Sequence, residues 1–160
     1  MLYKCESTDW IYDKIIILAI VNQPFNLMNL KLIAQLSLFG LVMAIATVFW
    51  IPSTVEPLFW LASFIYFSYL IAKKVDGKYF LHGFLLGLAN CVWITSGHIL
   101  LYTSYAANHV EEMKMMSGSP IADHPRINML ITGPIIGIAS GIVIGLFVII
   151  ASKILKKEKS

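Results

Sequence analysis

Gly133-Pro134-Ile135-Ile136-Gly137-Ile138-Ala139-Ser140-Gly141-Ile142-Val143-Ile144-Gly145 puts a glycine at every fourth position and carries no charge. On a helix this spacing draws Gly133, Gly137, Gly141 and Gly145 into one slowly drifting stripe without side chains. In water each interior glycine would cost such a helix about 1 kcal/mol relative to alanine. In lipid the same stripe is a packing surface, because small residues let another helix backbone approach closely. The stretch therefore predicts a membrane-embedded helix with a close neighbour on its glycine face.

Composition agrees with that environment. Of 160 residues, 58% are hydrophobic and 13% charged, against about 25% charged in an ordinary soluble domain. The mean hydropathy is +0.77. A formal charge of +3 does not suggest a nucleic-acid partner. Cys5 and Cys91 are far apart and form no Cys-x-x-Cys pair, so neither a disulfide framework nor thiol redox chemistry is indicated. No Asn-x-Ser/Thr acceptor for glycosylation occurs.

Working outward from the stripe, apolar segments fall at about residues 30–51, 58–75, 79–107 and 127–151; roughly 20 residues span a bilayer as a helix, and the second, about 15 by apolar count, reaches that only when extended to Val75. The first ends in Phe49-Trp50-Ile51-Pro52, with Trp50 suited to a membrane boundary. The second opens with Phe59-Trp60 and closes at Lys73-Lys74, whose stems can snorkel. With the amino terminus inside, ten of the twelve Lys and Arg residues lie on the cytoplasmic side; only Lys114 and Arg126 lie outside. The positive-inside rule thus selects an all-α fold, a four-helix transmembrane bundle with both termini cytoplasmic.

Residues 1–27 stand apart as an amino-terminal extension. Their apolar run, Ile15 to Val21, is too short to span and is stopped by Asn22-Gln23-Pro24. Three readings are open: an interfacial helix anchored by Trp10 and Tyr12, a poorly ordered tail, or sequence upstream of a true start at Met28. Residues 28–160 form the membrane domain.

Chemistry concentrates on the third segment. Taken as one helix at roughly 100° per residue, His98, Tyr102, Tyr105 and His109 share a face, with Asn90 beside it. Polar groups in lipid require partners and mark functional candidates. Asn90, His98, Tyr102 and Tyr105 are therefore read as a polar intramembrane face, set against the plainer reading that they bond neighbouring helices. The outer loop, residues 108–126, offers His109 and His124 as metal-ligand candidates, with Glu112, Met113, Met116 and Asp123 nearby; the alternative is a solvated loop with incidental histidines. Imidazole with thioether suits copper and imidazole with carboxylate suits zinc, but no spacing here matches a defined metal motif.

Several activities lose support. No Gly-rich phosphate loop, His-Glu-x-x-His or Gly-x-Ser-x-Gly is present. No Asp or Glu lies within a predicted span, which counts against a small proton-coupled drug antiporter, and Glu56 reads as a solvated loop charge. One chain supplies no facing pair of histidines for haem.

Lys78-Tyr79-Phe80-Leu81-His82-Gly83-Phe84 and Met129-Leu130-Ile131-Thr132-Gly133-Pro134-Ile135-Ile136-Gly137 resemble stretches of small bacterial inner-membrane proteins of four spans. The resemblance covers roughly the last 130 residues and implies location in a cytoplasmic membrane, but no activity and no functional residues. The reading that follows is a non-enzymatic, multi-pass membrane protein without cofactor. It would act through glycine-mediated packing with a second copy or another membrane protein. One alternative is an oligomeric transporter or channel with its polar path on the third span. The other is a metal-binding membrane protein using the outer loop.

Overall fold

The computed structural model describes residues 28–158, so the three readings of residues 1–27 lie outside the described residues. The described chain is all-helical, with six helices and no strand: α1 Leu30–Phe49, α2 Glu56–Lys74, α3 Tyr79–Leu100, α4 Tyr102–Asn108, α5 Val110–Ser117 and α6 Pro125–Glu158.

Alternation of direction follows from the contacts at the two ends. The Asn29 N–H donates to His82 Nε2 at 3.0 Å where α1 and α3 begin. Thr47 Oγ1 lies 3.2 Å from His98 Nε2 where both end, so α1 and α3 run parallel. Along α6 the glycines meet α3 in reverse order, Gly145 against Gly83 and Gly133 against Thr95. α6 is therefore antiparallel to α3. α2 connects the far end of α1 to the near end of α3 and runs antiparallel to both. Lys31, Lys73, Lys74, Lys78, Lys153 and Lys156 belong to the end where α1 and α3 start, and Lys114 and Arg126 to the opposite end. The first is called here the lysine end and the second the histidine end.

Helix boundaries have local causes. Asn29 caps α1, its Oδ1 accepting from the Leu32 N–H at 3.0 Å. Pro57 stands in the first turn of α2, where a missing N–H costs nothing, and Glu56 and Lys73-Lys74 match the two poles of its dipole. Pro125 opens α6 in the same way. Pro134 is carried within α6.

α1, α3 and the stretch Pro125–Lys156 of α6 are long and apolar enough to cross a membrane. α2 is not among them, which corrects the expectation of four such helices. Its 19 residues include Trp60, Ser63, Tyr66, Ser68, Tyr69, Lys73 and Lys74, which dilute its aliphatic content. The third predicted segment is also shorter than expected: α3 stops at Leu100, and residues 102–108 form the separate α4. Neither Gly nor Pro marks that break. Leu101 leaves the helical region, at φ −98° and ψ 27°. The chain then turns so that α4 can reach the end of α1. The outer connection is not simply a loop, since it contains α5, and α6 runs to Glu158 rather than ending near residue 151.

The outward surface is apolar on every exposed helix, including Leu38, Val42, Leu58, Ile65, Ile135 and Ile150. A water-soluble monomer rarely exposes so continuous an apolar surface. The core at the lysine end joins Leu32 and Ile33 of α1, Phe67 and Ile71 of α2, Leu86 of α3, and Ile144 and Val148 of α6.

Candidate functional site

The predicted glycine row lies along α3. A Cβ on Gly141 would stand 2.7 Å from the Phe84 carbonyl oxygen and one on Gly145 would stand 2.6 Å from the Phe80 ring. On the facing helix, a Cβ on Gly83 would meet the Gly145 backbone at 2.7 Å, and one on Gly87 would collide with Gly141. Cys91 fills the space over Gly137, and Thr95 the space over Gly133. The two helices thus share a seam in which four positions on each side are glycine or small. The opposite side of α3 meets α1 almost as closely, with Asn90 against Gly40 and Gly97 against Ala44.

Two buried histidines hold the ends of α1. His82 Nδ1 donates to the Lys78 carbonyl at 2.9 Å, which leaves Nε2 to accept from the Asn29 N–H. At the other end His109 Nε2 donates to the Thr47 carbonyl at 2.7 Å, and Asn108 Nδ2 donates to the Val48 carbonyl at 2.7 Å. These carbonyls belong to the last turn of α1, where the helix has no further N–H groups to offer. With Nε2 carrying the proton, His109 Nδ1 accepts from the Ser53 hydroxyl at 2.8 Å. Both ring nitrogens of His109 are therefore engaged by protein groups.

Among the described residues no three His, Cys, Asp or Glu side chains come together as a metal site. His124 lines a small surface pocket with Tyr102, Asp123 and Arg126, and His109 is not part of it.

Of the predicted polar face, three rings come together through stacking. Tyr105 lies between His98 and His109, with ring centroids at 4.2 Å and 4.3 Å and interplanar angles of 27° and 12°. His98 Nε2 donates to Thr47 Oγ1, whose own hydrogen goes to the Met43 carbonyl at 2.8 Å. Burial first, then the carboxylates of Glu112 and Glu56, raises the Tyr105 phenol above its ordinary value, so it stays neutral. Tyr102 separates from this group. The break at Leu101 turns it toward Arg126, whose guanidinium carbon lies 5.3 Å from the Tyr102 ring centroid. Asn90 is only 3% exposed, and neither atom of its side-chain amide has a hydrogen-bond partner.

Asn90, His98 and Tyr105 adjoin a cavity of about 620 Å³ bounded by α2, α3 and α6 and roofed by α4 and α5. It exists because α2 joins the core at Phe67 and Ile71 but stands away from α3 nearer its start. Its walls along α2, α3 and α6 are largely apolar, with Phe64, Ile94, Ile136, Val143 and Ile144, and carry Asn90 and Ser140 among them. Polar groups collect toward the histidine end: Ser53, Glu56, His98, Tyr105 and Glu112. Glu56 Oε1 accepts from Trp60 Nε1 at 3.0 Å, a side chain that also lines the cavity. Glu112 Oε2 is buried without a hydrogen-bond partner, 3.7 Å from His109 Nδ1.

Glu56 and Glu112 are the functional candidates that periodicity along the third segment misses. Glu56 belongs to another helix, and Glu112 lies beyond two breaks in the helix axis. The available signal is the Glu56–Trp60 spacing, which puts an acceptor and an indole donor one turn apart. The chain matches no family model, no curated protein and no solved structure.

Proposed function

We propose that the chain is a multi-pass membrane protein that binds a small amphipathic molecule among α2, α3 and α6. The observation that carries this reading is the cavity itself, with largely apolar walls and its two carboxylates at one end. Small-molecule sites have that character: a mostly apolar concavity with a few convergent polar groups. Its size, about 620 Å³, falls within the usual range of such sites.

α2 is the fourth span in this reading. Its 19 residues give a length of about 28 Å, close to the thickness of the hydrocarbon layer. It connects helix ends that lie on opposite sides of the bundle, so it has the same distance to cover. Tyr66 and Tyr69 are exposed on it, and aromatic side chains are tolerated near membrane interfaces. The lysine end faces the cytoplasm by the positive-inside rule, the cytoplasmic membrane if the source is bacterial. A cysteine at the exposed Thr54 and one at Gly77, where a new side chain meets nothing within 4 Å, then react with a membrane-impermeant thiol reagent from opposite sides. Reaction of both from the same side would remove α2 as a span.

Association through the glycine row has less support, because α3 already occupies that face within one chain. A metal centre at His109 and His124 has less support too, because the ring nitrogens of His109 are already hydrogen-bonded.

Cys91 lines the cavity and supplies the test. In a Cys5→Ser background, N-ethylmaleimide is expected to label Cys91 in native membranes. Ser140→Phe, which places a ring in the cavity, is expected to suppress that labelling in folded protein. Labelling of Cys91 only after denaturation, or at equal rates in both proteins, would mean that no accessible cavity exists.

A further inference from the structure

The charge of the cavity narrows the class of molecule that fits it. No Lys or Arg lines it among the described residues, whereas Glu56 and Glu112 both do. The histidine that lines it, His98, spends its Nε2–H on Thr47. One carboxylate oxygen of Glu112 is buried with no donor, although buried polar groups are normally paired and an unpaired one costs about 1–3 kcal/mol. Asn90, nine-tenths buried and more, also lines the cavity and likewise lacks partners. Trp60 offers aromatic surface beside Glu56, whose carboxylate it bonds, whereas both faces of Tyr105 are taken by His98 and His109. Aromatic faces attract cations, most strongly where water is excluded.

We infer that this cavity is a binding site for a lipophilic cation, with its charge set between Glu56 and Glu112 and its apolar body along Phe64, Ile94 and Ile136. This rests on the binding role proposed above and adds the sign of the ligand's charge. The apolar walls exclude small hydrated cations, which they cannot coordinate, and favour a cation whose charge is carried on hydrocarbon. The two acids lie outside the predicted spans yet border the cavity, so they act on a membrane-soluble ligand at the boundary rather than at mid-membrane.

Two ions of nearly the same size and shape separate charge from greasiness: tetraphenylphosphonium and tetraphenylborate. Binding of each to the purified full chain in detergent is measured by equilibrium dialysis, with Ser140→Phe as the baseline for uptake by detergent. Tetraphenylphosphonium is expected to bind above that baseline and tetraphenylborate is not. Glu112→Gln and Glu56→Gln are each expected to weaken the cation about tenfold while leaving the thermal unfolding midpoint within a few degrees of wild type. Equal binding of both ions above baseline, or undiminished cation binding in both Gln variants, would overturn the charge assignment while leaving the cavity as a binding site. Binding of neither ion above baseline, with Cys91 labelling indifferent to Ser140→Phe, would overturn the cavity reading as well.

Discussion

α6 meets its two main neighbours in opposite ways. Toward α3 it presents Gly133, Gly137, Gly141 and Gly145, and the backbones come into direct contact. Toward α2 it presents side chains such as Ile136, Ser140 and Val143, and a space of about 620 Å³ remains between the helices. Closeness in this bundle is therefore produced by missing side chains, the device that matters most where helices pack in lipid. The closed side also explains how the open side persists. α3 and α6 are fixed against each other along their length, and α2 is anchored by Phe67 and Ile71 at the lysine end. The remainder of α2 can then stand away without the bundle collapsing around it.

The sharpest way to break this contrast is to put bulk into the seam. Gly141→Leu, Gly137→Leu or Gly87→Leu is expected to destabilise the protein by about 3 kcal/mol, since an inserted side chain must displace backbone at Gly141 and Gly87 and the Cys91 side chain at Gly137. Unfolding in mixed micelles measures it; wild-type stability in all three would mean that the seam does not hold the fold.

A smaller loss is expected for His109→Leu, about 2 kcal/mol, because the buried Thr47 carbonyl is left without its donor. The matching change His109→Gln restores a donor and is expected to recover part of that loss in the same assay.

His98→Leu tests the wall shared by α1 and the cavity. Hydrogen bonds between membrane helices average about 0.6 kcal/mol, and Thr47 keeps its bond to Met43, so the expected cost is about that size. A loss comparable to that of the seam variants would make His98 chiefly a structural tie between α1 and α3. The smallest effect on stability belongs to Ser140→Phe, expected within about 0.5 kcal/mol because the ring enters empty space. A large loss there would show that the gap beside α2 is closed in the membrane.

The helical, membrane-suited character of this chain is legible from composition and from four-residue periodicity, since both depend only on local sequence. The seam is legible on the α6 side, where glycine recurs regularly. On the α3 side Gly83 and Gly87 are followed by Cys91 and Thr95, so the pattern dissolves into merely small residues. The breaks at Leu101 and His109 are not legible. No Gly or Pro announces them; they arise because Asn108 and His109 must reach the open carbonyls of α1, a requirement set by a helix roughly 60 residues away in sequence. That same turning keeps His98, Tyr105 and His109 together while removing Tyr102. Glu56 and Glu112 share a cavity only through the fold, which brings the start of α2 and part of α5 to its histidine end, and no one-dimensional pattern records that.

The order of the helices along the chain has a consequence for biogenesis. α3 is made well before α6, with roughly 50 residues between facing seam positions, and at 5–20 residues per second that delay is about 3–10 s. In the membrane-embedded protein proposed above, α3 would spend that interval with α1 available beside it, tied by His82 at one end and by Thr47 at the other, but with its glycine face covered only by lipid. The last span to arrive is then the one that completes the fit. A ribosome that stalls in the outer connection would release a chain whose most adhesive surface is still unpaired, and quality-control proteases of the membrane would meet it in that form.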